Sequence, residues 1–197
     1  MPSRVMGVAS KPGEKCVLQI RCSTESDRTA IRSVHASAFG PGQAREIVAL
    51  VDALLEDQTA RPLLSLIAEL GRELTGHILF TAVEIQPDQN VSARILAPLA
   101  VSSDCQGEGV GGALIKAGLE QLAESGVDLV FVLGHPGYYP RFGFQPAGVL
   151  GFEAPYPIPP EYADAWMVQA LKAGVIGRIE GTVQCSDALS QPQHWRE

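Results

Sequence analysis

Apolar positions near the start of the chain recur with the period of an α-helix in two successive segments. A short apolar run at 16–22 has the length of a strand, and the first helical pattern follows it at 24–39. Gly40 is placed to end this helix, because glycine favours helix C-termini. The second pattern, at 44–56, is the clearest amphipathic helix of the chain, and its apolar face predicts packing on a sheet.

The middle of the chain changes to the period of β-strands and then to a strand, loop, helix and strand. Three strand-like runs are joined by short turn-rich connections, the arrangement of an antiparallel meander. A glycine-rich loop follows the third strand directly, and an amphipathic helix ended by Gly126 leads from it to an apolar run of buried-strand type. The predicted strands are 62–70, 73–85, 93–102 and 128–134, and the helix is 110–124.

The last third of the chain is rich in proline and has weaker periodicity. The stretch "PGYYPRF" (136–142) predicts a short helix, 166–171 could be a strand, and "APYPIPPEYADA" (154–165) has too many prolines for regular structure. We expect the C-terminal segment to complete the domain or to cover one side of its site, and to help pair subunits if the protein is a homodimer. The predicted divisions are a tail at 1–15, a domain at 16–147 and a C-terminal segment at 148–197.

Composition and charge exclude several classes of protein and partner. The 197-residue chain is 46% hydrophobic, as in a globular domain, and no stretch is apolar enough for a membrane span or a signal peptide. A net charge of −7 argues against nucleic acid or an anionic membrane as main partner, because both bind basic surfaces. The four cysteines form no C-x-x-C pair and no histidines have zinc-ligand spacing, so we expect no metal site. These features predict a cytosolic location.

The stretch "DCQGEGVGGALI" (104–115) contains two overlapping glycine motifs. Starting at Gly107 it matches G-x-G-x-x-G, the pyrophosphate turn of dinucleotide-binding folds, and starting at Gln106 it matches Q-x-x-G-x-G. The dinucleotide interpretation needs an acidic residue at the carboxyl end of the next strand, whereas Asp128 lies at the amino end of that strand. The predicted antiparallel meander ahead of the loop is also foreign to a dinucleotide fold, so the second motif is favoured.

A further motif follows the next predicted strand. Tyr139, Gly143 and Phe144 form Y-x-x-x-G-F within "GHPGYYPRFGF". Together with Q-x-x-G-x-G and the order of elements, this motif resembles the GNAT superfamily of N-acetyltransferases, and more narrowly its YhbS-type branch, over about residues 17–147. The resemblance implies an α/β (α+β) fold with a mixed, mostly antiparallel twisted sheet that is splayed at the cofactor strand and flanked by helices.

The resemblance implies acetyl-CoA as the acyl donor and assigns the glycine loop to its pyrophosphate. Backbone N–H groups of the loop and the positive end of the following helix suit an anion. The strand ahead of the loop would pair with the pantetheine arm, and one of its N–H groups would stabilise the oxyanion formed during amine attack. We expect the Glu108 carboxylate to point to solvent. The implied cofactor-binding residues are Leu99, Ala100, Val101, Gln106, Gly107, Glu108, Gly109, Val110, Gly111, Gly112 and Phe142.

The acid and base groups of such a transfer are less evident in the sequence. Tyr139, the tyrosine of Y-x-x-x-G-F, is predicted to protonate the leaving thiolate, and its neighbour Tyr138 is assigned to packing. Glu84 and His135 are both candidates for the base that takes a proton from the amine, and the absence of a single base is a third alternative. Cys105 has no recognisable His and acid partner, so we expect direct attack in a ternary complex.

The sequence therefore predicts an N-acetyltransferase that moves the acetyl group of acetyl-CoA to a primary amine of a small molecule or peptide. A non-catalytic acyl-CoA-binding or regulatory module is the first alternative, because it would keep the glycine loop without a working Tyr139. A nucleotide-dependent oxidoreductase is the less favoured second alternative. No motif of the chain encodes the identity of the acceptor amine.

Overall fold

The computed structural model describes residues 17–87 and 90–195. The predicted tail at 1–15 and Cys16, the first residue of the predicted first strand, lie outside these residues. Short 3-10 helices occupy several of the connections between the longer elements. The strands are β1 (Leu18–Cys22), β2 (Leu64–Leu70), β3 (Glu73–Gln86), β4 (Ala93–Val101), β5 (Leu129–Leu133), β6 (Gln145–Pro146), β7 (Phe152–Glu153), β8 (Trp166–Ala170) and β9 (Gly181–Cys185), and the α-helices are α1 (Arg28–Glu56) and α2 (Val110–Glu124).

These strands belong to one mixed sheet. Its main order is β1-β2-β3-β4-β5-β8-β6, and β9 pairs with the far end of β3 and with β7. The predicted meander is confirmed, because β1 to β4 pair in chain order as antiparallel neighbours. β5 lies parallel to β4, which is possible because α2 forms the crossover between them.

β4 separates from β5 partway along its length. The two strands pair up to Leu96, whereas β4 continues to Val101. The register of β4 against β3 shifts between Leu96 and Leu99, so β4 carries a bulge around Pro98, a residue that suits a bulge because it has no N–H group. The predicted splay is confirmed: among the described residues, the last part of β4 has no strand neighbour on the β5 side.

The two α-helices cover opposite faces of the sheet. On one face, Leu79 of β3 belongs to the apolar cluster that contains Leu50 and Leu54 of α1. On the other face, Phe80 belongs to the cluster that contains Leu114 of α2. Successive strand residues point to opposite faces, so the apolar run of β3 supplies both layers. No helix in the described part of the chain is long and apolar enough to cross a membrane.

α1 is bent at Gly40, where the sequence predicts a helix end. Gly40 has φ 66° and ψ 176°, which no helical residue adopts, and Pro41 follows it directly. The prediction of two helices with a connecting loop is wrong in one respect, because residues 41–43 are helical rather than a loop. Proline is tolerated in the first turn of a helix, so the second half of α1 can begin at once after the bend.

The C-terminal segment contributes strands to the same sheet. β8, which confirms the predicted strand at 166–171, pairs antiparallel with β5, and β9 pairs antiparallel with β3. Within 154–165 the regular structure is limited to a 3-10 helix at Pro160–Ala165. Trp195 is buried, and its Nε1 donates a hydrogen bond to the carbonyl of Leu189 at 2.9 Å. The end of the described chain is therefore packed against the core.

Candidate active site

The glycine loop turns through two left-handed residues before α2 begins. Gly107 has φ +83° and Gly109 has φ +86°, a region that residues with side chains rarely adopt. These two residues let the chain reverse from the end of β4 into α2 within a short loop. Gly109 is the N-cap of α2 and provides no side-chain hydrogen bond to it.

The first N–H groups of α2 are left without helical partners. Ala113 donates the first helical bond, from its N–H to the carbonyl of Gly109 at 3.0 Å. The N–H groups of Val110, Gly111 and Gly112 precede this bond and, like those at any helix start, need another acceptor. Because no capping side chain is present, they form a ready anion site, which the helix dipole strengthens.

A groove of about 810 Å³ lies between this loop and the splayed end of β4, and we call it the loop groove. Glu108 is the one predicted cofactor residue that is not part of its wall, and its side chain is exposed, which agrees with the expected direction toward solvent. Its carboxylate therefore does not face an anion bound in the groove. The predicted residues that line the loop groove are Leu99, Ala100, Val101, Gln106, Gly107, Gly109, Val110, Gly111, Gly112 and Phe142.

The loop groove is also lined by two cationic side chains that are not among the predicted cofactor-binding residues. Lys116 lies one helical turn after Gly112 and therefore on the same side of α2. Arg141 donates from Nε to the carbonyl of Tyr138 at 3.2 Å, and its guanidinium carbon lies 4.5 Å from the centre of the Tyr138 ring. The i, i+4 spacing from the loop could have identified Lys116, and the place of Arg141 within Y-x-x-x-G-F allows a contact with a cofactor phosphate, although a solvated surface position is the favoured interpretation of its sequence.

The residues just before the loop have structural roles. Gln106 donates from Nε2 to the carbonyl of Val101 at 3.1 Å and so ties the loop to β4. Burial raises the pKa of the Cys105 thiol, and the nearby carboxylates raise it further, so the thiolate is disfavoured. This environment agrees with direct attack rather than a cysteine nucleophile. In the part of the chain that the structure describes, no cluster of His, Cys, Asp or Glu side chains is arranged to hold a metal ion.

A second cavity of about 530 Å³ adjoins the loop groove, and we call it the tyrosine cavity. Phe39, Leu99 and Tyr138 line both spaces, so the two meet at these side chains. The walls of the tyrosine cavity come from α1, the bulged part of β4, the residues that follow β5 and the C-terminal 3-10 helix. It therefore lies in the opening between β4 and β5.

Tyr139 lines the tyrosine cavity and is only 9% exposed. Its ring packs edge-on against those of Tyr138 and Phe144, and a side chain at Gly134 would overlap it. Burial raises the pKa of the Tyr139 phenol well above its usual value, and the neighbouring Tyr138 adds to this. The hydroxyl group is therefore protonated at neutral pH, as a proton donor must be.

Tyr138 also reaches the site, in addition to the ring contacts that it makes with Tyr139 and Phe142. Its ring lines both the loop groove and the tyrosine cavity. It precedes the 3-10 helix Tyr139–Phe142 instead of lying within it, so the helical pattern does not give its direction. A Cβ atom at Gly111 would lie 2.8 Å from the Tyr138 hydroxyl, which places that hydroxyl against the start of α2.

The two predicted base candidates occupy very different positions. His135 lines the tyrosine cavity, and its Nδ1 accepts a hydrogen bond from the N–H of Gly137 at 3.0 Å. Glu84 is exposed opposite Gln184 of β9 and lines neither space. β3 passes the splayed part of β4 at Ile78, and the rise per residue puts Glu84 roughly 20 Å further along. The candidate role of Glu84 as base is therefore wrong.

Asp128 lies at the end of the sheet opposite to the loop. Its carboxylate accepts a hydrogen bond from the N–H of Ser92 at 2.9 Å and pairs with the Lys172 ammonium at 3.3 Å. The loop follows the carboxyl end of β4, and β4 and β5 are parallel, so Asp128 cannot meet a ribose bound beside the loop. The structure contradicts the dinucleotide interpretation of the glycine motif.

A mixed sheet that splays beside a glycine loop, with the loop opening a helix, is the arrangement expected of a GNAT acyltransferase domain, and it defines the class of this protein. The family model of the acetyltransferase (GNAT) domain matches residues 19–147. The chain belongs to this family, and the predicted fold is confirmed.

Similar proteins support the narrower assignment as well. The chain is 47% identical to the uncharacterized N-acetyltransferase YjhQ of Escherichia coli K12, over 83% of this chain and 89% of YjhQ. The crystal structure of the GNAT family N-acetyltransferase YhbS of Escherichia coli in complex with CoA matches with a TM-score of 0.79 and 25% identity, over 93% of this chain and 97% of YhbS. A GNAT family acetyltransferase from Brucella melitensis in complex with acetyl-CoA matches with a TM-score of 0.70 and 30% identity, over 88% and 99%.

Proposed function

We propose that this chain is an N-acetyltransferase that moves the acetyl group of acetyl-CoA to a primary amine of a small molecule or peptide. The observation that carries the proposal is the loop groove, where the uncapped start of α2 meets the splayed edge of β4. Two of the similar structures hold CoA or acetyl-CoA, and YjhQ bears the name of an N-acetyltransferase.

The loop groove has the chemical groups that such a donor needs. The N–H groups at the start of α2 suit the pyrophosphate, and the Lys116 and Arg141 side chains add positive charge for the phosphates. The backbone of Leu99 to Val101 has no strand neighbour on the β5 side among the described residues, so an extended arm that carries amide groups can pair with those groups that Gln106 leaves unbonded. The residues present therefore fit acetyl-CoA.

The transfer needs an electrophile, an oxyanion donor and a proton donor. Bound acetyl-CoA supplies the thioester carbonyl that the amine attacks. A backbone N–H in the Leu99 to Val101 segment stabilises the developing oxyanion, and Tyr139 gives its proton to the departing sulfur. Because burial raises the pKa of Tyr139, its phenolate is a strong base and recovers a proton from the nitrogen as the amide forms. The tyrosine thus ends the cycle in its starting state.

Substitution of Tyr139 tests the proposal directly. We expect Tyr139→Phe to bind acetyl-CoA with the affinity of the wild type and to lose about 100-fold or more in kcat, the usual effect of removing a general acid. Tyr162→Phe is the matched control, because Tyr162 is 41% exposed and lines neither space. Calorimetry gives the affinity, and release of free thiol from acetyl-CoA with a panel of primary amines gives the rate.

The remaining outcomes separate the alternatives. Tight acetyl-CoA binding without turnover of any amine would favour a non-catalytic acyl-CoA-binding module. An unchanged kcat in Tyr139→Phe would remove Tyr139 as the acid, and Tyr138→Phe would then identify or exclude the second tyrosine at the same junction.

A further inference from the structure

Among its described lining residues the tyrosine cavity has a single carboxylate, and a histidine near the end of the described chain lines the same wall. Glu46 comes from the second half of α1, and His194 comes from the C-terminal 3-10 helix. Among the described residues no Lys or Arg contributes to this wall, whereas Lys116 and Arg141 line the adjoining loop groove. The two spaces are therefore matched to ligands of opposite charge, with an anionic one at the loop and a cationic one in the tyrosine cavity.

Both residues are next to buried neighbours that anchor the backbone, while Glu46 itself is exposed and His194 is half-buried. Glu46 is followed one turn later by Leu50, which is buried in the core between α1 and the sheet. His194 precedes Trp195, whose Nε1 bonds the carbonyl of Leu189 and whose ring packs edge-on against Trp166 at 5.6 Å between centroids. The imidazole of His194 is therefore carried on a fixed segment of chain and not on a loose terminus.

His194 is the better placed of the two cavity histidines to receive a proton. Nδ1 of His135 already accepts the N–H of Gly137. Burial lowers the pKa of His194, and the charge of Glu46 raises it in part, so the imidazole is neutral at neutral pH and has a ring nitrogen that can accept a proton. Glu46 keeps its attraction for a cation, because no basic side chain competes for it within the part of the cavity wall that the structure describes.

The rest of the wall is largely apolar. A volume of about 530 Å³ lies in the range of small-molecule sites, which bury most of their ligand. A ligand that fits this wall has one cationic end and a hydrocarbon body. The apolar side chains of this wall come from both halves of α1, the bulged part of β4, the end of β5 and the C-terminal segment, and include Phe39, Ile47, Leu99, Leu133 and Leu189.

We propose that the tyrosine cavity binds a small monocationic primary amine with an apolar body, that Glu46 holds its ammonium group, and that His194 takes the proton that activates it. This inference rests on the proposed acetyl transfer. The ammonium gives one proton to His194, and the neutral nitrogen forms the C–N bond as the C–S bond breaks. Tyr139 protonates the sulfur and regains the second nitrogen proton, and His194 releases its proton to solvent.

The Glu46→Gln variant tests the binding role. With phenethylamine as the probe, we expect KM to rise about tenfold or more, as for loss of a hydrogen bond between charged groups, while the acetyl-CoA affinity stays unchanged. Phenylalanine carries a carboxylate beside its amine, so the wild type should discriminate against it and Glu46→Gln should discriminate less. Glu120→Gln, an exposed charge change on α2 outside both spaces, is the matched control.

The His194→Gln variant tests the proton transfer. We expect kcat to fall about 100-fold and the decline of the rate on the acid side of the pH profile to disappear, because the group that must be neutral is gone. The other ionisable groups that face His194 in the cavity are Glu46, His135, Tyr138 and Tyr139. His135→Gln should keep the decline of the rate at acid pH. If that decline were lost only in His135→Gln, the assignment of His194 as the proton acceptor would be overturned.

Binding measurements keep this inference separate from the proposed function. Calorimetric titration of phenethylamine into the protein saturated with CoA should show binding to the wild type and weaker binding to Glu46→Gln, whether or not any amine is acetylated. Equal binding or equal KM in the two proteins would overturn the inference while acetyl transfer could still stand. Efficient use of a lysine tripeptide and none of phenethylamine would overturn the small-amine class.

Discussion

At the residue scale, two neighbouring tyrosines reach different surroundings because the backbone changes direction between them. Tyr138 precedes a 3-10 helix with φ −107° and ψ −56°, and Tyr139 is the first residue of that helix. Tyr139 fills the space left by Gly134 and faces one cavity, while Tyr138 lies against Gly111 where two spaces join. The proposed proton donor and a side chain that lines both spaces are thus adjacent in sequence.

The left-handed Gly109 gives a sharp test of the loop. We expect Gly109→Ala to lose about 1–2 kcal/mol of unfolding free energy, the usual cost of a left-handed conformation for a residue with a Cβ atom. The loop can relieve this strain by moving its N–H groups, so acetyl-CoA affinity should fall as well. Urea unfolding gives the stability, and calorimetry gives the affinity.

Gly126 supplies the matched control, because it has the same left-handed conformation but does not line the loop groove. It has φ +81° at the end of α2, and nothing lies near its missing Cβ atom, as at Gly109. Gly126→Ala should lose a similar amount of stability and bind acetyl-CoA as the wild type does. If both variants lost affinity equally, the loop conformation would have no special part in donor binding.

At the element scale, the bend in α1 decides what the helix contributes to the site. Residues before Gly40 pack along the sheet, and Phe39 at the bend lines both the loop groove and the tyrosine cavity. After the bend, Glu46 reaches the tyrosine cavity while Leu50 and Leu54 stay in the core. A straight helix could not send both halves toward the opening of the sheet.

Two glycines near the bend should respond to alanine with opposite signs. Gly40 has φ 66° and ψ 176°, a region nearly exclusive to glycine, so Gly40→Ala should lower the unfolding free energy by roughly 1–3 kcal/mol. Gly42 lies in the helical part with open space around it, so Gly42→Ala should raise it by about 0.5–1 kcal/mol. Urea unfolding measures both, and a stabilising Gly40→Ala would show that the bend is not held by glycine.

The elements that the sequence predicts well are those set by near neighbours in the chain. The strand, loop, helix and strand around Gln106 form one local unit, so periodicity and glycine spacing predicted these elements, and the family resemblance carried by their motifs supplied the fold and the residues of the groove. Glu84 failed as a base because the alternation of apolar and polar residues predicts that a residue lies on a strand, but not how far along the sheet it lies from the site. Glu46 and His194 were missed because only tertiary packing brings α1 and the chain end together.

At the scale of the whole molecule, a chain of buried polar groups links the helical layer to the sheet. His35 of α1 and His77 of β3 share a hydrogen bond of 2.8 Å, and His77 bonds Ser65 of β2 at 2.9 Å. Ser65 bonds Ser23 after β1 at 2.6 Å, and Nδ1 of His35 is buried without a partner. If each imidazole carries its proton on Nε2, both ring N–H groups donate a hydrogen bond within this network. The one buried atom of this network left without a partner, Nδ1 of His35, is then an acceptor.

This arrangement holds both imidazoles in the neutral form. Burial lowers the pKa of His35 to about 4, and burial together with the neighbouring ring lowers that of His77 to about 3. The ionisable side chains that face each other in this chain are the two histidines themselves, and the remaining contacts are to the serines and the Phe39 ring. Among the residues that the structure describes, no carboxylate forms a hydrogen bond with either ring. No negative charge in these contacts would therefore stabilise a protonated imidazole.

The pair should make the fold sensitive to mild acid. The folded state binds fewer protons than the unfolded chain, whose histidines titrate near 6.5, so this stability is present above about pH 6.5 and is lost as pH falls toward the folded pKa values. Between pH 7 and 5 each histidine should remove about 2 kcal/mol of unfolding free energy. Urea unfolding at these pH values should show a flatter dependence in His35→Gln/His77→Gln, or in His35→Gln if the double variant does not fold. The same slope in wild type and variant would mean that carboxylates, rather than this pair, set the acid limit.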